Sequence, residues 1–308
     1  MQLLYFLEKV RTPFLDRIMS FITRFGEEYV FLAVALIVFW CVDKIEGYYI
    51  MCSGFLSTVL GQFLKITCRI PRPFVRDPKF TIVESARSAA TGYSFPSGHT
   101  LSSVSTFGCI ARSKCHRYLR YVLIALMVLV PFSRMYLGVH TPWDVLAGVV
   151  ISLAFVFLLY PLFEKSRENS KVLQRVVFAM LIVVLAVAAY VSFYPFPKDT
   201  DSVLLVSAAE NTYKLLGANF GLLLAVYLDR RYLNFSTEAP LLGQILKVTL
   251  GILLTLSLQS GLKPVFSCII RWQWLSDIIR YFLIVLFAGY IWPLTFRFFK
   301  GIGLKKKP

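Results

Sequence analysis

The chain has 308 residues, 57% of them hydrophobic and only 16% charged, and its mean hydropathy is +0.66. Soluble domains carry about 25% charged residues, so the composition excludes an ordinary soluble protein and points to a polytopic membrane protein. The net charge is nevertheless +16, from 33 Lys and Arg against 17 Asp and Glu; an affinity for anionic lipid, an anionic substrate and membrane sidedness would each explain it.

Residues 1–25 hold Glu8, Lys9, Arg11, Asp16, Arg17 and Arg24 around Pro13, and no cleavable apolar region fits between these charges. Leu3, Phe6, Leu7, Val10, Phe14, Ile18, Phe21, Ile22 and Phe25 recur at steps of three and four. That period gives one apolar and one charged helical face and predicts a helix lying in the membrane interface. Nine later segments approach the about 17–25 apolar residues of a transmembrane helix: roughly 29–43, 47–64, 98–113, 120–137, 143–163, 176–195, 212–228, 246–263 and 278–297. The first and third of these are the shortest or most polar. The longest polar connection, roughly 65–97, is rich in Lys, Arg, Ser and Pro. The six cysteines show no C-x-x-C spacing, most fall in apolar runs, and they read as buried small hydrophobes, with no zinc pattern.

Nine spans place the termini on opposite sides. Arg112, Lys114, Arg117 and Arg120 then share one face with Lys165, Arg167, Lys171 and Arg175, with Arg230 and Arg231, and with the tail Lys300, Lys305, Lys306 and Lys307. The positive-inside rule makes that face, and the C-terminus, cytoplasmic. The 65–97 connection falls on the extracytoplasmic side together with 134–142 and 196–211.

Three short clusters fall on that same side: Lys65, Arg72 and Pro73 as K-x6-R-P, then Pro96-Ser97-Gly98-His99, then Ser133, Arg134, His140 and Asp144 as S-R-x5-H-x3-D. Any one cation at a span end is explained by snorkelling. Lys65, Arg72 and Arg134 together point to an anion, because guanidinium forks bind phosphate oxygens bidentately and an ammonium adds a point charge. Ser97 and Gly98 stand at a helix start, where free N–H groups and the helix dipole favour phosphate, and Gly98 allows close backbone approach. Of the three histidines, His116 lies among loop cations and reads as solvated. His99 and His140 fall inside the clusters, where two imidazoles in a cationic pocket can act as nucleophile and acid. Asp144 can orient His140. Thr141-Pro142-Trp143-Asp144 also reads as a helix start with an N-cap, Pro at N1 and an acid at N3, and both roles can hold. No metal or cofactor is expected: Asp144 is the only carboxylate in the clusters, whereas two-metal chemistry needs several ligands.

These residues resemble the signature of the type-2 phosphatidic acid phosphatase superfamily: integral-membrane lipid phosphatases, with soluble acid phosphatases and vanadium haloperoxidases as relatives. The resemblance covers roughly 15–195. It implies a phosphatase/haloperoxidase-like core in residues 1–195, the interfacial helix 1–25 included; with the nine apolar segments this makes an all-α polytopic membrane bundle of about nine transmembrane helices, in which the three spans of 196–308 carry no motif of the family and form an extension of unknown role. It further implies that His140 attacks phosphorus, that Asp144 holds His140, that His99 protonates the leaving group and then activates water, and that Lys65, Arg72, Ser97, Gly98 and Arg134 cradle the phosphoryl oxygens, with an extracytoplasmic site and no metal.

The expected function is dephosphorylation of a lipid phosphate or diphosphate: polyprenyl diphosphate, phosphatidate-like or sphingoid. The amphipathic start followed by Gly26-Glu27-Glu28 resembles undecaprenyl-diphosphate phosphatases. The nine-span outline resembles sphingoid-phosphate and glucose-phosphate phosphatases, although Gly98 stands where sphingoid-phosphate members often carry Thr. Transfer of the phosphoryl group to another lipid or sugar, and a non-enzymatic lipid-phosphate carrier or sensor, are the alternatives. The expected partners are the membrane and a lipid phosphate, with no nucleic acid; the oligomeric state is left open. In the extension, Glu210, Asn211, Lys214, Asn219 and Gln259 are polar residues in or beside spans; Glu210 and Lys214 can pair on one helix face, and Trp272 and Trp274 read as interface anchors.

Overall fold

The computed structural model describes residues 1–113, 115–197 and 200–302; Lys114, Lys305, Lys306 and Lys307 of the basic clusters lie outside them. All regular structure among the described residues is helical. In chain order the α-helices are α1 (Gln2–Lys9), α2 (Pro13–Thr23), α3 (Glu28–Ile37), α4 (Lys44–Cys68), α5 (Pro73–Arg76), α6 (Gly98–Arg112), α7 (Arg117–Tyr136), α8 (Pro142–Glu168), α9 (Ser170–Phe193), α10 (Ser202–Leu228), α11 (Leu241–Ile269), α12 (Gln273–Leu286) and α13 (Phe296–Phe299). Polar residues mark many of the starts. The Asp43 carboxylate accepts the N–H groups of Ile45 and Glu46, Asn169 accepts that of Lys171, and Asp201 accepts those of Val203 and Leu204.

Helices stand at all nine expected span positions. Among the described residues six helices are long and apolar enough to cross a membrane, or seven when the bent pair Pro13–Gly26 and Glu28–Val42 counts as one. By that measure α6 and α10 fall short of the expected nine. α6 has only 15 residues, and α10 carries Glu210, Asn211, Lys214 and Asn219.

The chain forms two compact units: Met1–Leu32, Ser53–Tyr160 and Pro197–Leu205 in the first, Ala33–Cys52, Pro161–Phe196 and Val206–Pro308 in the second. In the first unit the expected single amphipathic helix is two. Thr12 caps α2 by accepting the Leu15 N–H at 3.3 Å, and Pro13 occupies the first helical position. The charged face of this segment turns towards the protein. Arg11 donates to the carbonyls of Tyr136 and Thr81 at 3.0 and 2.9 Å, and Tyr5 and Tyr136 donate to Asp77 and Asp16 at 2.6 and 2.9 Å. Leu4 and Leu7 are buried, while Phe6, Phe14 and Phe21 stay exposed, an apolar surface suited to lipid.

The second unit has a core around Phe39, Trp40, Tyr48, Leu173, Val177, Leu222 and Trp292. Trp40 Nε1 donates to the Ala288 carbonyl at 3.0 Å. Lys44 reaches the fully buried Asp229 at 2.8 Å. Glu210 and Lys214 pair at 3.8 Å, as their spacing predicts, and a second pair, Asp277 with Arg280 at 2.9 Å, is buried on α12. Trp272 and Trp274 are exposed and stacked 6.4 Å apart. Of the cysteines, only Cys52 and Cys109 are fully buried, and Cys68 and Cys268 are exposed. Cys68 ends α4 and Cys268 lies one residue from the end of α11, beyond the expected spans 47–64 and 246–263, so neither is the buried apolar residue expected of the cysteines.

Candidate active site

All eight expected site residues belong to the first unit. α7 ends in a turn that delivers His140. Gly138 adopts φ +83°, the left-handed conformation that closes helices, and the Val139 N–H returns to the Arg134 carbonyl at 3.2 Å. A Cβ on Gly138 would also meet Arg11 Nη2 at 2.7 Å and the Thr81 carbonyl at 3.1 Å. Two residues later α8 begins with a reciprocal cap. Asp144 Oδ2 accepts the Thr141 N–H at 2.6 Å, and Thr141 Oγ1 accepts the Asp144 N–H at 3.3 Å. The helix-start reading of these residues therefore holds.

His140 is buried, and its two ring nitrogens face different chemistry. Nε2 lies 3.3 Å from Arg72 Nη1. A guanidinium only donates, so this contact places the lone pair on Nε2 and the proton on Nδ1. Nδ1 lies 3.7 Å from Asp144 Oδ2, beyond hydrogen-bond length. Ser94 fills the gap: its hydroxyl donates to Asp144 Oδ2 at 2.6 Å and its oxygen lies 3.3 Å from Nδ1. The chain of contacts is His140 to Ser94 to Asp144.

The cations are anchored largely by uncharged oxygens. Lys65, in the last turn of α4, donates to the Tyr93 carbonyl at 2.9 Å. Arg72, the N-cap residue of α5, donates to the carbonyls of Thr91, Gly92 and Val139 at 2.5, 3.0 and 3.2 Å. The 65–97 connection thus folds back to hold both. Arg134 is 1% exposed and donates through Nη1 to Thr23 Oγ1 at 2.8 Å, while its Nε and Nη2 are buried without a partner. Such donors are costly to bury unless an acceptor arrives. Lys65, Arg72 and Arg134 all act electrostatically on both His99 and His140. Burial, reinforced by these three cations and opposed by Asp144, holds His140 well below the ordinary imidazole range.

α6 opens at the same place. Its N-cap Ser97 is fully buried, donates its N–H to the Asp144 carbonyl at 3.0 Å and makes no side-chain cap to its own helix. The Ser97 hydroxyl accepts from Thr100 Oγ1 at 3.0 Å. Gly98 is exposed, and a Cβ there would meet nothing within 4 Å, so open space lies before the first turn of α6. His99 is half-buried and packs behind Gly26, whose absent Cβ would lie 2.9 Å from the His99 carbonyl and 2.8 Å from Val130 Cγ1. His116 is exposed at the start of α7, away from these contacts. Among the described residues no three His, Cys, Asp or Glu side chains gather as a metal site would require.

Ser94, Thr23 and Gly26 were not among the expected site residues. Each meets its partner across a large separation, 46 residues from Ser94 to His140 and 111 from Thr23 to Arg134, which no local spacing reveals.

The pattern described as the PAP2 superfamily matches residues 46–168, and that described as the PAP2 superfamily phosphatase transmembrane extension matches residues 213–307. An undecaprenyl-diphosphatase of Sulfolobus acidocaldarius is 34% identical over 147 residues, 47% of this chain and 68% of that protein. Undecaprenyl-diphosphatase BcrC of Bacillus subtilis is 32% identical over 152 residues, 47% of this chain and 74% of that protein. The chain belongs to the PAP2 superfamily. A third PAP2 relative, sphingosine-1-phosphate phosphatase 1 of Rattus norvegicus, is 26% identical over 280 residues, 84% of this chain and 62% of that protein. This PAP2 phosphatase is an integral membrane protein. Its C-terminal region, where the sequence alone gave no motif, matches the transmembrane extension found with such phosphatases.

Proposed function

We propose that this PAP2 phosphatase dephosphorylates a lipid phosphate or diphosphate through a phosphohistidine on His140, without a metal. One observation carries the reading: buried cations converge on one buried imidazole, and two donors of Arg134 are left without acceptors. Phosphoryl oxygens accept from Arg134, Arg72, Lys65, the Ser97 hydroxyl and the N–H groups opening α6 beside Gly98. His140 Nε2 attacks phosphorus. The bond to the leaving oxygen breaks, and the electron pair leaves with that oxygen, which takes a proton from His99, an imidazole that becomes protonated once the bound phosphoryl oxygens offset the three cations acting on it. The phosphohistidine retains Nδ1–H, directed through Ser94 to the Asp144 carboxylate, which stabilises the positive ring. His99, now neutral, removes a proton from water; the hydroxide attacks phosphorus and releases phosphate and neutral His140.

The loop charges support a site on the extracytoplasmic face and a cytoplasmic C-terminus. Residues 1–195 form the phosphatase core in this reading, and 196–308 the extension. An amphiphile keeps its tail in lipid while its phosphate reaches the site. The undecaprenyl-diphosphatases and the sphingosine-1-phosphate phosphatase among the relatives support a polyprenyl diphosphate or a sphingoid phosphate as that amphiphile.

The test is phosphate release by the purified full-length protein from polyprenyl diphosphate, phosphatidate and sphingoid phosphate in excess chelator. Wild type is expected to turn over at least one, and His140→Ala and His99→Ala to lose about 10³-fold or more. Labelled substrate is expected to leave an acid-labile phosphoenzyme in wild type and none in His140→Ala. Turnover that survives His140→Ala, or that stops on chelation, overturns the mechanism.

A further inference from the structure

The second unit carries an open groove of about 800 Å³ between α9, α10 and α12, within the roughly 300–1,000 Å³ of small-molecule sites. Its wall is largely apolar and includes Phe178, Phe220, Leu223 and Phe282. Its polar lining is cationic or neutral: Lys171, Gln174, Arg175 and Tyr227, with no acidic residue. Lys171, Gln174, Arg175 and Phe178 fall on one face of α9 at steps of three and four. At 1.5 Å per residue the cations therefore precede Phe178 by about 5–10 Å along the helix.

α10 runs antiparallel to α9. Ser192 meets Tyr213 at 2.8 Å near one end, and residues 171–178 share the groove with 220–227 near the other. Tyr227, close to the C-terminus of α10, thus lies towards the cationic end. The positive end of the α9 dipole is there too. The groove is an apolar slot with a basic mouth.

Neighbouring charges show that this mouth is unusual. Arg167, four residues before Lys171, is held by Asp43, Glu46 and Glu164 at 2.7–3.0 Å. Lys171 and Arg175 are exposed, and neither forms an ion pair among the described residues. Basic pockets between membrane helices attract anionic headgroups, at about 1 kcal/mol per cation near the surface.

We propose that the slot is a binding site for an anionic phospholipid, with the headgroup phosphate on Lys171 and Arg175 and the acyl chains along Phe178, Phe220, Leu223 and Phe282. The apolar walls select a lipid over a free phosphate, and the cations select an anionic headgroup over a zwitterionic one.

The test uses delipidated full-length protein in detergent, offered phosphatidylglycerol and phosphatidylcholine with identical chains, with bound lipid counted by native mass spectrometry. Wild type is expected to prefer phosphatidylglycerol. The double variant Lys171→Gln/Arg175→Gln is expected to lose about 30-fold in phosphatidylglycerol affinity, the equivalent of two such cations, with phosphatidylcholine unchanged. Leu223→Trp, which fills the slot, is expected to weaken both lipids. Glycerol phosphate, a headgroup without chains, is expected not to compete. No preference in wild type, a preference that survives the double variant, or displacement by glycerol phosphate overturns the proposal. Both replaced cations are exposed, so the double variant decides even if Leu223→Trp unfolds.

Discussion

Replacing Ser94 by alanine isolates the link between His140, the nucleophile of the proposed mechanism, and the Asp144 carboxylate. Asp144 Oδ2 is 3.7 Å from His140 Nδ1, and the Ser94 hydroxyl bridges them at 2.6 and 3.3 Å. Alanine removes the bridge and leaves Asp144 held by the Thr141 N–H at 2.6 Å. A carboxylate pinned there cannot close the remaining distance without breaking the cap of α8. The loss is one hydrogen bond to a charged group, about 1.5–3 kcal/mol, felt when the ring becomes cationic during attack. At about 1.4 kcal/mol per decade, kcat falls roughly 10- to 100-fold. KM changes little, because Ser94 is not among the phosphate donors. Steady-state phosphate release gives both constants, and single-turnover formation of the phosphoenzyme shows that the slowed step is attack. Ser94→Thr, which keeps the hydroxyl, is expected to recover most of the rate. Ser94→Ala within about twofold of wild-type kcat would show that Asp144 acts on His140 directly. An equal loss in KM would place Ser94 in the anion site instead.

Arg134→Lys removes the planar fork and with it the two unpartnered donors, so kcat/KM is expected to fall about 100-fold or more in phosphate-release kinetics. Gly26→Ala places a methyl group 2.9 Å from the His99 carbonyl, a backbone atom that cannot yield cheaply; a loss of about 1–3 kcal/mol in denaturant stability is expected, with a lower kcat. Asp229→Ala removes a fully buried carboxylate and leaves Lys44 with only Asn234 Oδ1 and the Phe235 carbonyl as acceptors, and is expected to cost about 1.5–3 kcal/mol by thermal unfolding in detergent. Breaking the exposed pair Arg87–Glu84 is expected to leave the unfolding temperature unchanged within error. Because burial holds His140 below the usual imidazole range, it is neutral at pH 7, as the proposed attack requires, and it protonates only as pH falls past its lowered value. The acid limb of kcat/KM, corrected for titration of the substrate phosphate, is therefore expected below pH 6.5; a limb at or above that value contradicts the electrostatics described here.

Residues inside the three short clusters were legible in the sequence, Arg72 included although it meets His140 from 68 residues away, whereas partners outside the clusters were not. The S-R-x5-H-x3-D run places Arg134 in the last turn of α7, His140 after the turn and Asp144 in the first turn of α8, so its geometry follows from two helix ends and one glycine. Nothing in the spacing shows that Thr23 would take one arm of Arg134 or that Gly26 would back His99. The period of three and four ran through residues 1–25 unbroken, so it concealed the break that Thr12 and Pro13 impose. The span count suffered for a related reason. Hydropathy measures contact with lipid, whereas α6 carries site and packing residues: Ser97, Thr100, Ser103 and Ser105 at its start and along it are fully buried against protein.

Carbonyl anchoring of Lys65 and Arg72 explains how a buried cationic pocket can stay receptive to phosphate. A carboxylate on either cation would position it equally well, but would cancel the charge and compete with the phosphate for the same donors. Backbone carbonyls of Thr91, Gly92, Tyr93 and Val139 fix direction while leaving the net charge in place. The carboxylate that does enter, Asp144, is turned to Ser94 and the Thr141 N–H, on the far ring nitrogen from Arg72. Its charge therefore serves the imidazole on the side away from the incoming phosphate. The unsatisfied Nε and Nη2 of Arg134 make the empty pocket costly, and a bound phosphoryl group supplies the acceptors those donors lack. In the proposed mechanism that relief is greatest when the phosphoryl oxygens carry the most charge, so a dianionic phosphate is expected to bind better than a singly charged ester.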